Sequence, residues 1–203
     1  MRGGVVRESR TAAEPSELRA AREGRVPAAA TSRASSFADE GIGELLCCRA
    51  AVKHLLIVFH SQTGHTQRMA EAVLHGARAE ADQVEARMLR ALAAGTEDLL
   101  WCDGLLIGTP ENFGFMSGAV KDFFDRTFYP AQGKVHQLPY AVFVSCGNDG
   151  SGAVRQIERI ARGYPLRRVA DPIIARGELD AAVLARCEEL GQTLAAGLAL
   201  GIF

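Results

Sequence analysis

From Lys53 onward, short and almost wholly apolar runs alternate with longer stretches in which apolar residues recur at helical spacing. Leu55-Leu56-Ile57-Val58-Phe59 is bounded by a polar turn, the pattern of a strand buried on both faces. Thr66 to Glu80 places Met69, Val73 and Ala77 on one helical stripe, with Arg68, Glu71 and Arg78 among the polar positions. Val84 to Leu89 reads as a second strand and Gly104 to Thr109 as a third, with a short helical turn from Glu97 to Trp101 between them. Gly118 to Phe128 reads as a helix, Tyr140 to Ser145 as a fourth strand, and Ala153 to Arg162 as another helix. Val169 to Ala175 reads as the fifth strand, and Asp180 to Leu198 as the last helix. Five strands alternating with helices predict an α/β fold: a parallel sheet covered on both faces, with right-handed crossovers.

Residues 1–51 lack this pattern. Arg, Ala, Glu and Ser dominate there, and large apolar residues are sparse before Leu45-Leu46. Such a segment cannot bury enough surface to offset its ordering entropy, so it is expected to be a disordered N-terminal extension ahead of a domain at 52–203. The recurrent Arg residues also fit an organelle transit peptide, but Glu8, Glu14, Glu17 and Glu23 argue against one. Because a compact domain would begin naturally near Val52, a further expectation is that translation starts there from a non-AUG codon.

Composition narrows the function. With 23 basic and 24 acidic side chains the formal net charge is −1, so nothing in the global balance calls for nucleic acid or an anionic membrane. The five cysteines form no repeated CxxC spacing, and no run reaches the roughly 18 apolar residues of a spanning helix. A soluble protein of the reduced cytoplasm, without a bound metal, is the expectation.

Three loops after expected strand ends carry unusual chemistry. In open α/β sheets ligands sit beyond the carboxyl ends of the strands, where strand order reverses. His60-Ser61-Gln62-Thr63-Gly64-His65-Thr66 combines a helix start with three hydroxyls and a glycine, more than one helix cap requires. Free N–H groups and the helix dipole there would hold a phosphate monoester without a lysine. The loop matches neither GxxxxGK[ST] nor GxGxxG, which disfavours nucleotide hydrolysis and the dinucleotide fingerprint.

The second loop, from Pro110 through Glu111, Asn112, Phe113, Gly114 and Phe115, offers aromatic area and irregular backbone amides to a flat ring. Its phenylalanines could equally cap the core. The third loop, Cys146-Gly147-Asn148-Asp149 with Gly150 and Gly152 beyond, suits backbone contact with a ring edge, or an ordinary turn. Lys121, Asp122, Asp125 and Arg126 have the spacing of intrahelix ion pairs.

Together these motifs resemble the flavodoxin-like family, close to its NAD(P)H:quinone oxidoreductase and NADPH-dependent FMN reductase branches. "HSQTGHT" is similar to the family's [ST]xTGxT phosphate loop, "PENFGFMSGAVKDFFDR" to the loop and helix flanking the isoalloxazine, and "SCGNDGSGA" to the third flavin loop. The resemblance implies a three-layer sandwich around a five-stranded parallel sheet of order 2-1-3-4-5. It implies FMN as cofactor, with the phosphate on Ser61, Gln62, Thr63, Gly64, His65 and Thr66. The ring would lie along Pro110, Glu111, Asn112, Phe113, Gly114 and Phe115, and against Cys146, Gly147, Asn148 and Asp149.

The expected activity is electron transfer from NADH or NADPH to a quinone or similar small acceptor. A flavodoxin-type electron carrier is the rival reading, and a flavin-free interaction domain a third. Electron carriers usually present a strongly acidic docking face, whereas residues 52–203 carry 15 basic and 17 acidic side chains. No triad or paired carboxylate stands out. Tyr129, His136, Asp149 or a residue of a partner subunit would be the source of a proton for the acceptor, in a homodimer or homotetramer. Asn112 and Phe115 stand where the quinone reductase branch usually has a basic and a small polar residue, which bears on substrate choice.

Overall fold

The computed structural model describes residues 51–203; the expectations for the segment before Ala51 lie outside the described residues. Strands β1 (Lys53–Phe59), β2 (Val84–Arg90), β3 (Gly104–Asn112) and β5 (Pro139–Cys146) pair in parallel in the order β2-β1-β3-β5. β6 (Arg167–Arg168) and β7 (Ile173–Arg176) both lie on the far side of β5. The expected 2-1-3-4-5 order is therefore present.

Two details differ from expectation. The last strand is split, because Pro172 has no N–H to donate and the ladder lapses between Arg168 and Ile173. β3 also runs three residues beyond Thr109 and turns back as β4 (Phe115–Met116), so the second loop is a tight antiparallel hairpin. Thr109 secures its base, its hydroxyl accepting from Ser117 N at 2.9 Å and donating to Pro110 O at 2.9 Å.

Alternate residues of the central strands feed two cores, which is why those strands are apolar throughout. Leu55, Ile57 and Phe59 pack with α1 (His65–Ala77) and α5 (Ala181–Ala199), where Met69, Val73, Leu190 and Leu194 are buried. Leu56 and Val58 face the opposite layer of α2 (Thr96–Trp101), α3 (Gly118–Ala131) and α4 (Ser151–Gly163), where Leu99, Phe123 and Ile157 are buried. α1 ends at Ala77 in a 3-10 turn over Arg78–Glu80. Helices α1 and α5 meet at glycines: a Cβ on Gly191 would lie 1.9 Å from Val73 O. The intrahelix pairs of α3 form, Lys121 with Asp125 and Arg126 with Asp122, each at 2.6 Å.

Candidate functional site

At the carboxyl ends of β1, β3, β5 and β7 a cleft of about 270 Å³ opens at the point where strand order reverses. Gln62, Thr63 and His65 line it from the first loop, Pro110, Glu111 and Asn112 from the second, and Cys146 and Gly147 from the third. Ser145, Gly177 and Glu178 complete the lining. Ser145 opens the third loop, SCGNDGSGA, whereas Gly177 and Glu178 were not anticipated. Gly177 and Glu178 follow the split last strand, and only the sheet topology brings that turn to the cleft.

The N-terminus of α1 differs from those of the other helices. In α3 the Ser117 hydroxyl accepts from Val120 N, and in α5 the Asp180 carboxylate accepts from Val183 N. In α2 Asp98 accepts from Gly95 N, and α4 is capped by Glu111 from β3. α1 has no side-chain cap and no acidic residue in its first turn. Its orphan N–H groups and the positive end of its dipole therefore remain open to an anion. Gly64, the residue before the helix, has φ +93°, a conformation that side chains with a Cβ rarely adopt.

The hydroxyls of the first loop do different work. Ser61 Oγ accepts from Gly64 N at 3.1 Å and so shapes the turn. Thr66 Oγ1 is buried and pairs with Ser145 Oγ at 2.8 Å. Thr63 lines the cleft from an exposed position, with its hydroxyl oriented by no protein partner among the described residues. His65 Nε2 lies 3.7 Å from a carboxylate oxygen of Glu178 across the cleft mouth. At the first position of the loop, burial and then the nearby Arg90 charge lower the basicity of His60, whose buried Nδ1 has no hydrogen-bond partner among the described residues.

In the second loop, Phe113 and Gly114 form the two-residue hairpin turn, with φ +53° and +72°. Positive φ at both central positions is the signature of a type I′ turn, for which Asn or Gly is favoured and phenylalanine is strained. Phe113 is fully exposed and stands outside the cleft lining, as do Gly114 and the partly exposed Phe115. Glu111 lines the cleft, and its carboxylate reaches the start of α4, accepting from Gly150 N, Gly152 N and Ala153 N at 3.2, 3.1 and 3.3 Å.

In the third loop Cys146 Sγ has two carbonyl acceptors in reach of its one S–H, Asn148 O at 3.6 Å and Ala175 O at 3.5 Å. Burial, reinforced by the charges of Glu111 and Asp149, pushes this thiol up, so it is a poor nucleophile at neutral pH. Asp149 is turned to its own loop: its carboxylate accepts from Ser151 N and Ser151 Oγ at 3.0 and 2.9 Å, which holds it below the usual carboxylate range. Asn148 and Asp149 lie outside the cleft lining.

A larger hollow, about 410 Å³, sits at the opposite edge, near the amino ends of β3, β5 and β6. It is lined in part by Asp103, Lys134, His136 and Arg167. His136, one of the three proton donors named from the sequence, belongs to that hollow, where Nε2 meets Gly133 O at 2.9 Å. Tyr129 is largely exposed near the end of α3 and lines neither cavity. Of the two, the smaller cleft joins an uncapped helix start to four strand ends.

Comparison with known proteins identifies the family and the fold. Residues 54–165 match the model of the family described as NADPH-dependent FMN reductase. A flavodoxin of Aquifex aeolicus is 37% identical over 98 residues, covering 48% of this chain and 52% of its own. An NAD(P)H dehydrogenase (quinone) of Acidithiobacillus ferrooxidans is 32% identical over 121 residues, covering 50% of this chain and 60% of its own. The chain thus spans about half the length of the curated relatives it matches. Among solved structures, a flavodoxin, WrbA-like protein from Agrobacterium tumefaciens superposes with a TM-score of 0.61 at 22% identity, covering 73% of this chain and 98% of that one. Among the described residues no helix is long and apolar enough to cross a membrane.

Proposed function

The chain belongs to the NADPH-dependent FMN reductase family, and from that premise we propose that residues 52–203 bind FMN and pass electrons from NADH or NADPH to a quinone or similar small acceptor. The observation that carries the reading is the uncapped N-terminus of α1, opening on a cleft at the strand-order reversal. The residues present fit the cofactor. Backbone N–H groups of Thr63, His65 and Thr66 and the Thr63 hydroxyl would hold the phosphate, the Gly64 N–H being bonded to Ser61. Ser61 and Thr66 would keep the loop in shape through Gly64 and Ser145. Pro110 to Phe115 and Cys146 to Asp149 would frame the ring, chiefly through backbone atoms, because Glu111 and Asp149 commit their carboxylates within the protein.

When bound, the flavin supplies the hydride chemistry. The chain's part is to bind and orient it, exclude water from its inner face, and keep the adjacent Cys146 thiol protonated. His60, held neutral by burial, adds no positive charge behind the phosphate loop. Among the described residues Cys102, Cys146 and Cys187 are buried and free, which suits a reducing cytoplasm. Near balance of charge over residues 52–203 favours a reductase over a carrier steered by an acidic face.

The test is to reconstitute the full chain with FMN and follow NADH and NADPH oxidation with a benzoquinone acceptor. Flavin-dependent turnover is expected. FMN retention without turnover would favour the carrier, and failure to retain FMN would overturn both readings.

A further inference from the structure

We propose that Glu111 is the positioning residue of the ring-binding loops, joining the β3–β4 hairpin to the first turn of α4 so that the two move as one body. The proposal rests on the FMN reading of the cleft and deepens it. Glu111 lies at the end of β3, yet its carboxylate serves a helix that begins 40 residues later. Oε2 accepts from Gly150 N at 3.2 Å, and Oε1 from Gly152 N and Ala153 N at 3.1 and 3.3 Å. α4 has no side-chain cap at its own N-cap residue, Gly150, so Glu111 does that work across the tertiary fold. An anionic acceptor beside the positive end of a helix dipole makes the stronger kind of hydrogen bond.

Backbone packing reinforces the join. A Cβ on Gly152 would lie 2.1 Å from Gly114 O and 3.0 Å from Glu111 Oε1, so the hairpin turn sits directly on the first turn of α4. Glu111 also pairs with Met116 in the β3–β4 ladder. One residue thus holds the hairpin that carries Asn112 to Phe115 and the helix start that closes the third loop. With both oxygens bonded to these amides, Glu111 acts on a bound ring through the two loops it joins.

The test compares the wild-type chain with Glu111→Gln, which replaces one acceptor oxygen by a donor facing the same amides. In the flavin-free protein, amide exchange at Gly150, Gly152 and Ala153 should quicken by about tenfold or more, the worth of one charge-assisted hydrogen bond. Riboflavin and FMN affinities should fall by the same factor, about tenfold, because the phosphate loop is untouched. The visible band of the bound flavin should move toward that of free flavin. Unchanged exchange would overturn the proposal. So would faster exchange with unchanged flavin affinity and spectrum, which would make Glu111 a structural cap only, or a loss confined to FMN, which would place the effect at the phosphate. If Glu111→Gln does not fold, Glu111→Asp carries the same comparison with both acceptors on a shorter arm. A wild-type chain that binds neither flavin would instead remove the FMN reading itself.

Discussion

Thr66 Oγ1 and Ser145 Oγ lie 2.8 Å apart in the protein interior, joining the first turn of α1 to the end of β5. Replacing either alone leaves a buried hydroxyl without its partner, which costs about 1–3 kcal/mol. Thr66→Val and Ser145→Ala should therefore each lower the urea midpoint, and the double variant should lose less than the sum of the two. Additive losses in denaturant titrations would show that the hydroxyls do not depend on each other.

Thr63 is the first-loop hydroxyl left facing the cleft. Thr63→Ala should weaken FMN binding by about tenfold, one hydrogen bond to a charged group, and leave riboflavin binding unchanged. Fluorescence titrations with the two flavins separate these effects. Equal losses would move the phosphate elsewhere.

Burial in the α1–α5 core pushes the Cys187 thiol from 9.0 up to about 11. The folded state therefore holds this proton more tightly than the unfolded chain. Stability from this group is full below about pH 9 and falls as pH rises toward 11, by on the order of 3 kcal/mol. Urea midpoints of the flavin-free protein should decline between pH 8.5 and 10.5, on the order of that linkage. In Cys187→Ala the decline should be shallower; an identical slope would assign the linkage to other groups.

Phe113 occupies the left-handed region at φ +53° and is wholly exposed, so no packing among the described residues repays its strain. Phe113→Gly should raise flavin-free stability by about 1 kcal/mol. Under the proposed ring contact, the gain should shrink with saturating FMN, because the variant would then bind it less tightly. A gain unaffected by FMN would remove Phe113 from the ring.

Much of the fold was legible because its signals are local. Leu55 to Phe59 and Tyr140 to Ser145 are apolar without alternation because helices cover both faces of those strands. Gly64 and the polar turn around it mark a strand-to-helix switch in sequence as clearly as in space. The last strand was less legible: Val169 to Ala175 has strand-like composition, but Pro172 interrupts its pairing with β5.

For the site, the residue pattern shows where polar loops follow buried strands, since burial period and turn chemistry are written over a few neighbouring residues. It could not say which of the three first-loop hydroxyls is spent within the protein, or that Glu111 faces α4. Those answers depend on partners such as Ser145, 79 residues from Thr66, and Gly152, 41 residues from Glu111. Hydrogen bonds over such separations leave no periodic trace in the chain. Only the packing of sheet and helices brings the groups within reach, and that packing decided that Thr63 and the open start of α1 face the cleft.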